Sequence, residues 1–227
     1  MNIKRQLLIT LLSLLTCIGQ ASASEYIFFN GAAKVNVPSK WQTQGITKKG
    51  NAEAVFFDIP NNGTSNNNKT ANLLLIAEPN KSKLKVSQYA QWKSSTLLAS
   101  EGTELLAASI ENEQWITLFI KTQQNNTPYL IIERFAATED HLIMLMAALP
   151  ISINGNKNDV EWTKATIEQV NSIIKSINLN GSSLMKSRVT IKDGVAYLSS
   201  EPPGEQLIAP FPVVSQGAII DVTKVKK

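Results

Sequence analysis

Short runs of alternating apolar and polar residues dominate the chain from residue 26 onward, with two stretches of helical period set among them. Residues 26–29 and 33–37 flank Asn30-Gly31, a pair that accepts positive φ and so predicts a hairpin closed by Pro38, with Trp41 just beyond. Strands are predicted over 53–59 and 72–77, and residues 60–70, crowded with Asn, Gly, Ser and Thr, form the loop between them. A helix is predicted over 87–100: Ser87 can cap its free amides, and Tyr89, Trp92, Thr96 and Ala99 recur three and four apart as its apolar stripe.

Four further strands, 104–110, 115–121, 129–138 and 141–149, follow with links short enough to force antiparallel neighbours, hence a meander. Along the second, Ile116, Leu118 and Ile120 oppose Trp115, Thr117 and Phe119. Along the fourth, Leu142, Met144 and Met146 oppose Ile143, Leu145 and Ala147. Both faces are apolar, so the sheet must be covered on both sides. A second helix over 159–178 supplies one cover through Val160, Ile167, Val170, Ile174 and Ile177, with Asn158 and Glu161 spaced as a capping box and Asn180-Gly181 closing it.

Residues 182–227 read differently. Runs 188–192 and 195–199 around Asp193-Gly194 predict a hairpin, Glu201-Pro202-Pro203-Gly204 breaks the chain, Phe211 stands between Pro210 and Pro212, and 218–222 offers one more strand. So short a segment without disulfides or metal should dock on the preceding domain or on a partner.

The first residues change the composition. Lys4 and Arg5, an apolar run over 7–18 and Ala21-Ser22-Ala23 read as a secretory signal over 1–23, cleaved after Ala23. That run is too short to span a bilayer, and nothing later approaches the roughly 20 apolar residues a membrane helix needs. The chain's one cysteine, Cys17, falls inside the signal, and Thr16 stands where a lipobox wants Gly, Ala or Ser, so the mature chain is expected without thiol, disulfide or lipid anchor. The formal charge of +4 falls to +2 on removing Lys4 and Arg5, which is no footprint of a nucleic-acid binder. The expected compartment is the periplasm. The chain divides into a signal (1–23), a main domain (24–181) and a β-rich extension (182–227).

Val35-Asn36-Val37-Pro38 and then Trp41, a helix near the middle, a meander ending in Ala148-Leu149-Pro150 and a closing helix bearing Ile174 together resemble the Mog/PsbP-like fold. Among bacterial envelope proteins they resemble its DcrB-like branch. The resemblance covers about residues 28–179 and rests on element order and the anchors Pro38, Trp41, Pro150 and Ile174. It implies an α+β fold, an α/β/α sandwich with a central antiparallel sheet. It also implies action by binding: of a small GTPase in one branch, among photosystem subunits in another, and of envelope or secretion-system partners in bacteria. The matched positions are structural, so no functional residue carries over, and the missing lipobox departs from DcrB-like lipoproteins.

Chemistry is sparse. There is no Gly-x-Ser-x-Gly elbow, phosphate loop or His-Glu-x-x-His. Ser-x-x-Lys occurs at Ser82/Lys85, Ser172/Lys175 and Ser183/Lys186, a pattern chance produces in a chain rich in both residues. The sequons at Asn62 and Asn68 arise in the same way from an asparagine-rich tract. Glu111/Glu113 and Glu139/Asp140 sit at turns, where acids are ordinarily solvated. His141 is the single histidine, so no multi-histidine metal site or cofactor is expected. The candidate interaction residues are Trp41, Trp92, Trp162, His141 and Phe211. The tryptophans are typical of core packing and also of interface hot spots. The sequence thus predicts a non-enzymatic interaction protein with an envelope or periplasmic protein partner. An immunity protein against a toxin delivered to the periplasm is a variant of that reading. A carrier of a small apolar ligand or lipid, with a pocket lined by residues such as Met144 and Met146, is its rival from another class.

Overall fold

A computed structural model of the chain describes residues 23–28, 31, 33–60, 71–112, 114–151, 157–179, 183–185, 188–192, 195–199 and 211–212. The predicted signal up to residue 22, the loop 61–70 with Asn62 and Asn68, the turn residues Asn30 and Asp193-Gly194, the stop at Asn180-Gly181 and the segments 201–210 and 218–222 lie outside the described residues.

The centre is a seven-stranded sheet, antiparallel throughout, in the order β3-β4-β5-β9-β8-β7-β6. Its strands are β3 (Gln42–Lys49), β4 (Ala52–Ile59), β5 (Ala71–Pro79), β6 (Glu104–Glu111), β7 (Trp115–Gln124), β8 (Thr127–Ala137) and β9 (His141–Pro150). β6 to β9 are the predicted meander. β7 and β8 meet at Asn125 and Asn126, whose φ values of 49° and 60° suit a tight turn that twists with the strands. Among the described residues two helices accompany the sheet, α1 (Val86–Leu98) and α2 (Lys157–Ser176). The described residues are therefore mostly antiparallel sheet with two helices, an α+β fold.

Alternation along the strands makes two cores. Leu130, Ile132 and Ala136 of β8 join Val55, Phe57, Leu73, Leu145, Val170 and Ile173 under α2 and the hairpin of β1 (Ala23–Phe28) and β2 (Ala33–Pro38). Ile131, Phe135 and Ala137 join Ile116, Leu118, Leu142, Met144 and Tyr89 under α1. The hairpin is tied to the chain just past α2 by paired amides, Lys34 N donating to Asn178 O (2.8 Å) and Asn178 N to Lys34 O (2.9 Å). Beyond α2, Met185 N donates to Ala137 O at 2.7 Å, fastening the chain to the end of β8. β10 (Arg188–Lys192) and β11 (Val195–Ser199) form the expected hairpin, and β12 (Phe211–Pro212) pairs with β11.

Three local expectations are corrected. Residues 42–49 form a strand where none is predicted: Gln42-Thr43-Gln44 and Lys48-Lys49 have no apolar alternation, because β3 is an exposed sheet edge. A register shift between Thr43 and Ile46, with Gly45 at φ +87°, and the two lysines blunt that edge against further pairing. α1 begins at Val86, so Ser87 is buried inside it and does not cap it; the Lys85 amide is met by the Gln88 side chain at 2.8 Å. α2 begins at Lys157, which places Asn158 within its first turn.

Candidate functional site

The predicted stripe of α1 is rotated from the buried one. Val86, Tyr89, Ala90 and Ser94 face the sheet, and Trp92, two residues past Ala90 and so about 200° round the helix, is 55% exposed. Ser94 defeats an apolar search because it is a polar residue on the buried side. Its hydroxyl donates to Glu133 Oε2 at 2.6 Å, beneath the helix.

Trp92 stands over a groove of about 260 Å³ whose lining includes Glu78, Pro79, Lys81, Leu84 and Leu142. Lys93 lies 4.3 Å from the Trp92 ring centroid and joins Glu78 Oε1 at 2.8 Å; the Tyr89 hydroxyl donates to the same oxygen, also at 2.8 Å. Burial first, and the Glu78 charge second, push the Tyr89 hydroxyl far above its ordinary range, so it is a permanent donor here. Buried Asn80 holds the wall: its Oδ1 accepts from Leu84 N (2.7 Å) and its Nδ2 donates to Thr138 O (2.7 Å) and Leu84 O (3.0 Å). Asn80→Ala orphans these buried groups and should cost about 1–3 kcal/mol. Faster amide exchange at Leu84 than in the wild type, alongside a lower melting temperature, is the check.

The same sheet face continues beyond α1 as an open shelf. In register across three strands stand Phe56, Leu74 and Met146. Phe56 is 48% exposed, and Leu74, Ile76, Met146 and Ala148 are half-buried. Glu133 is the next neighbour in that row, opposite Met146, and is buried. Desolvation raises its carboxyl above the usual range, against the pull of the Ser94 bond.

On the opposite face, Arg134 donates twice to Glu111, both at 2.9 Å, and once to Thr117 at 3.1 Å, with its guanidinium 4.5 Å from the Trp115 ring centroid. The Arg134 hydrogen bonds hold the Glu111 carboxyl below the usual range.

The sequence-derived candidates do not converge. Trp41 is in the core, 3% exposed. Trp162 is half-buried on α2, its Nε1 donating to Pro60 O at 3.3 Å. His141 opens β9 opposite Pro79, and its amide donates to Thr138 Oγ1 at 2.9 Å. Phe211 lies opposite Ala196 in the small sheet. Of these candidates, Trp92 lines the groove. Phe56, Glu78, Lys93, Ser94 and Glu133 were not singled out by sequence, and Tyr89 only as part of the helix stripe. A signal was available for Glu133, which with Arg134 sets two charges inside an otherwise largely apolar strand. Met144 is buried in the α1 core, and a cavity between the β1–β2 hairpin and the sheet measures about 10 Å³, room for one water. Among the described residues no group of three or more His, Cys, Asp or Glu could hold a metal ion, and no helix is long and apolar enough to cross a membrane.

No family model matches the chain, and no curated protein matches it. Solved structures do resemble it. The Ran-binding protein Mog1p of Saccharomyces cerevisiae overlays with a TM-score of 0.49 at 10% identity, over 70% of this chain and 96% of its own. LpqN of Mycobacterium tuberculosis, involved in cell envelope biogenesis, gives 0.44 at 9% identity, over 72% and 91%. A Pseudomonas aeruginosa protein of unknown function gives 0.38 at 13% identity, over 66% and 93%. These are likenesses of fold, and what Mog1p and LpqN do is said of those proteins.

Proposed function

We propose that this chain is a non-enzymatic protein of the bacterial periplasm that works by holding an envelope protein partner. In this reading residues 24–181 are an α/β/α sandwich of the DcrB-like kind, and residues 182–227 are a β-rich extension. The observation that carries it is the half-covered sheet face: α1 shields β7 to β9, Phe56, 48% exposed, stands on the same side in register with half-buried Leu74 and Met146, and Trp92, 55% exposed, stands on α1. An apolar shelf and an exposed tryptophan on one side of the sheet are the composition of a protein interface. The signal-like residues 1–23 support the compartment.

The test is affinity purification from envelope extract with the mature chain as bait, beside a Trp92→Ala/Phe56→Ser variant. One stoichiometric protein retained by the wild type and lost from the variant is the expected result. Equal retention by both, or a bound lipid or small molecule with no protein partner, overturns the reading.

A further inference from the structure

We infer that the groove beside Trp92 receives an acidic segment of a protein partner, which sets an apolar side chain on the groove floor and a carboxylate against its lysine rim. This rests on the interaction reading and names the chemistry of what binds.

The floor is apolar: Leu142 is 3% exposed, Pro79 and Leu84 are half-buried, and the Trp92 indole forms a wall. The groove's volume of about 260 Å³ falls below the roughly 300–1,000 Å³ typical of small-molecule sites, so it suits side chains presented by a larger body.

Charge selects among such bodies. Glu78, the acid in the groove, already receives the Tyr89 hydroxyl and the Lys93 ammonium on one oxygen, so its charge is met from within. Lys81 lines the rim, and Lys83 and Lys85 follow it in the segment Lys81-Ser82-Lys83-Leu84-Lys85. Lys83 is engaged by Asp140 at 3.6 Å and by the Glu139 carbonyl at 2.9 Å. Lys81 is exposed and has no ion pair among the described residues. α1 starts at the same rim with no acidic residue in its first turn. A helix start ordinarily gains from acids there, and lysines at that end add to the positive potential already present. Counting Lys81, Lys83, Lys85 and Lys93 against Glu78, Glu139 and Asp140, the groove and its surroundings keep a formal surplus of one positive charge. A carboxylate is drawn to this rim and a basic segment is repelled.

The test is selection of a phage-displayed random peptide library on the full mature chain, followed by titration of the enriched peptide in synthetic form. The expected sequences place Asp or Glu within two positions of Leu, Phe or Trp. Their binding should weaken at least about tenfold in Trp92→Ala, the scale of an interface tryptophan, and weaken in Lys81→Glu and with added salt. Both substituted residues are exposed, and unchanged circular dichroism verifies folding. Enrichment of basic or uncharged peptides, binding indifferent to Trp92→Ala, or no enrichment at all overturns the inference. So does Trp92-dependent co-sedimentation with phosphatidylglycerol vesicles in place of peptide binding, which would give the groove to a membrane surface. If a partner is still captured through Trp92 while selected peptides carry no acids, this inference fails and the interaction reading stands.

Discussion

Phe135→Ala should destabilise the protein by about 3–5 kcal/mol, the range for truncating a buried aromatic. For a domain of this size that lowers the melting temperature by roughly 6–20 °C. Phe135 has no exposed surface and meets the Tyr89 ring edge-on, centroids 5.5 Å apart, at the centre of the α1 core. The cavity would open beneath Tyr89, whose hydroxyl holds Glu78 at the groove. α1 is the sole helix on that face among the described residues, and Ser94 adds one more polar tie, to Glu133. The neighbouring strands cannot collapse into the space without breaking ladder hydrogen bonds, so little of the loss is recovered. Differential scanning calorimetry gives the number, and a loss under about 1.5 kcal/mol, far below that range, would mean that the core repacks. Phe135→Leu, which retains much of the volume, should recover more than half of the loss.

The second large effect is set by pH. Ser94→Ala leaves a buried carboxylate without its hydroxyl donor and should cost about 1–3 kcal/mol at pH 7. Glu133→Gln should act in the opposite direction, raising stability at pH 7. The folded-state pKa of Glu133 is raised from its ordinary 4.5 by desolvation, so between those two values the folded chain binds more protons than the unfolded chain, and stability falls as pH rises. Below pH 4.5 the carboxyl is neutral in both states, no penalty exists, and the glutamine has nothing to relieve. Urea unfolding at pH 4 and pH 7 measures both variants. A Glu133→Gln gain as large at pH 4 as at pH 7 would mean that packing, not ionisation, is its source. Glu111 contributes with the opposite sign: Arg134 lowers its pKa, so the stability it adds is present above its ordinary value of 4.5 and lost as pH falls through the lowered one. Glu111→Gln, measured in parallel, separates the two slopes.

Most of the architecture was legible in the chain. Ile116, Leu118 and Ile120 against Trp115 and Phe119 described a sheet buried on both sides, and the structure divides those residues between its two cores. Val170 and Ile174 announced the face of α2 that packs on the sheet. β3 was not legible, because an edge strand needs no apolar residues and gains from lysines. The site was largely hidden for a related reason. Tyr89 to Trp92 is a helical spacing, yet the true buried face includes Ser94, chosen to satisfy Glu133, so the most apolar line through the helix is not the line that faces the core. Glu78 and Asn80 stand at the end of β5 and Lys93 on α1, and only the packing of that helix on the sheet brings Lys93 to Glu78.

Glu133 and Arg134 are consecutive residues of β8 that point into different cores, one to Ser94 and the other to Glu111 and Trp115. A strand slipped by a single position exchanges its two faces. Here the slip would carry the guanidinium under α1, away from Glu111, and the carboxylate to Glu111's side, where like charges would meet. Hydrophobic residues alone would tolerate the error, since β8 is apolar on both sides. This interior strand therefore carries its own proofreading: an adjacent acid and base, each costly in the other's place, exclude the misaligned pairing that a uniformly greasy strand would permit.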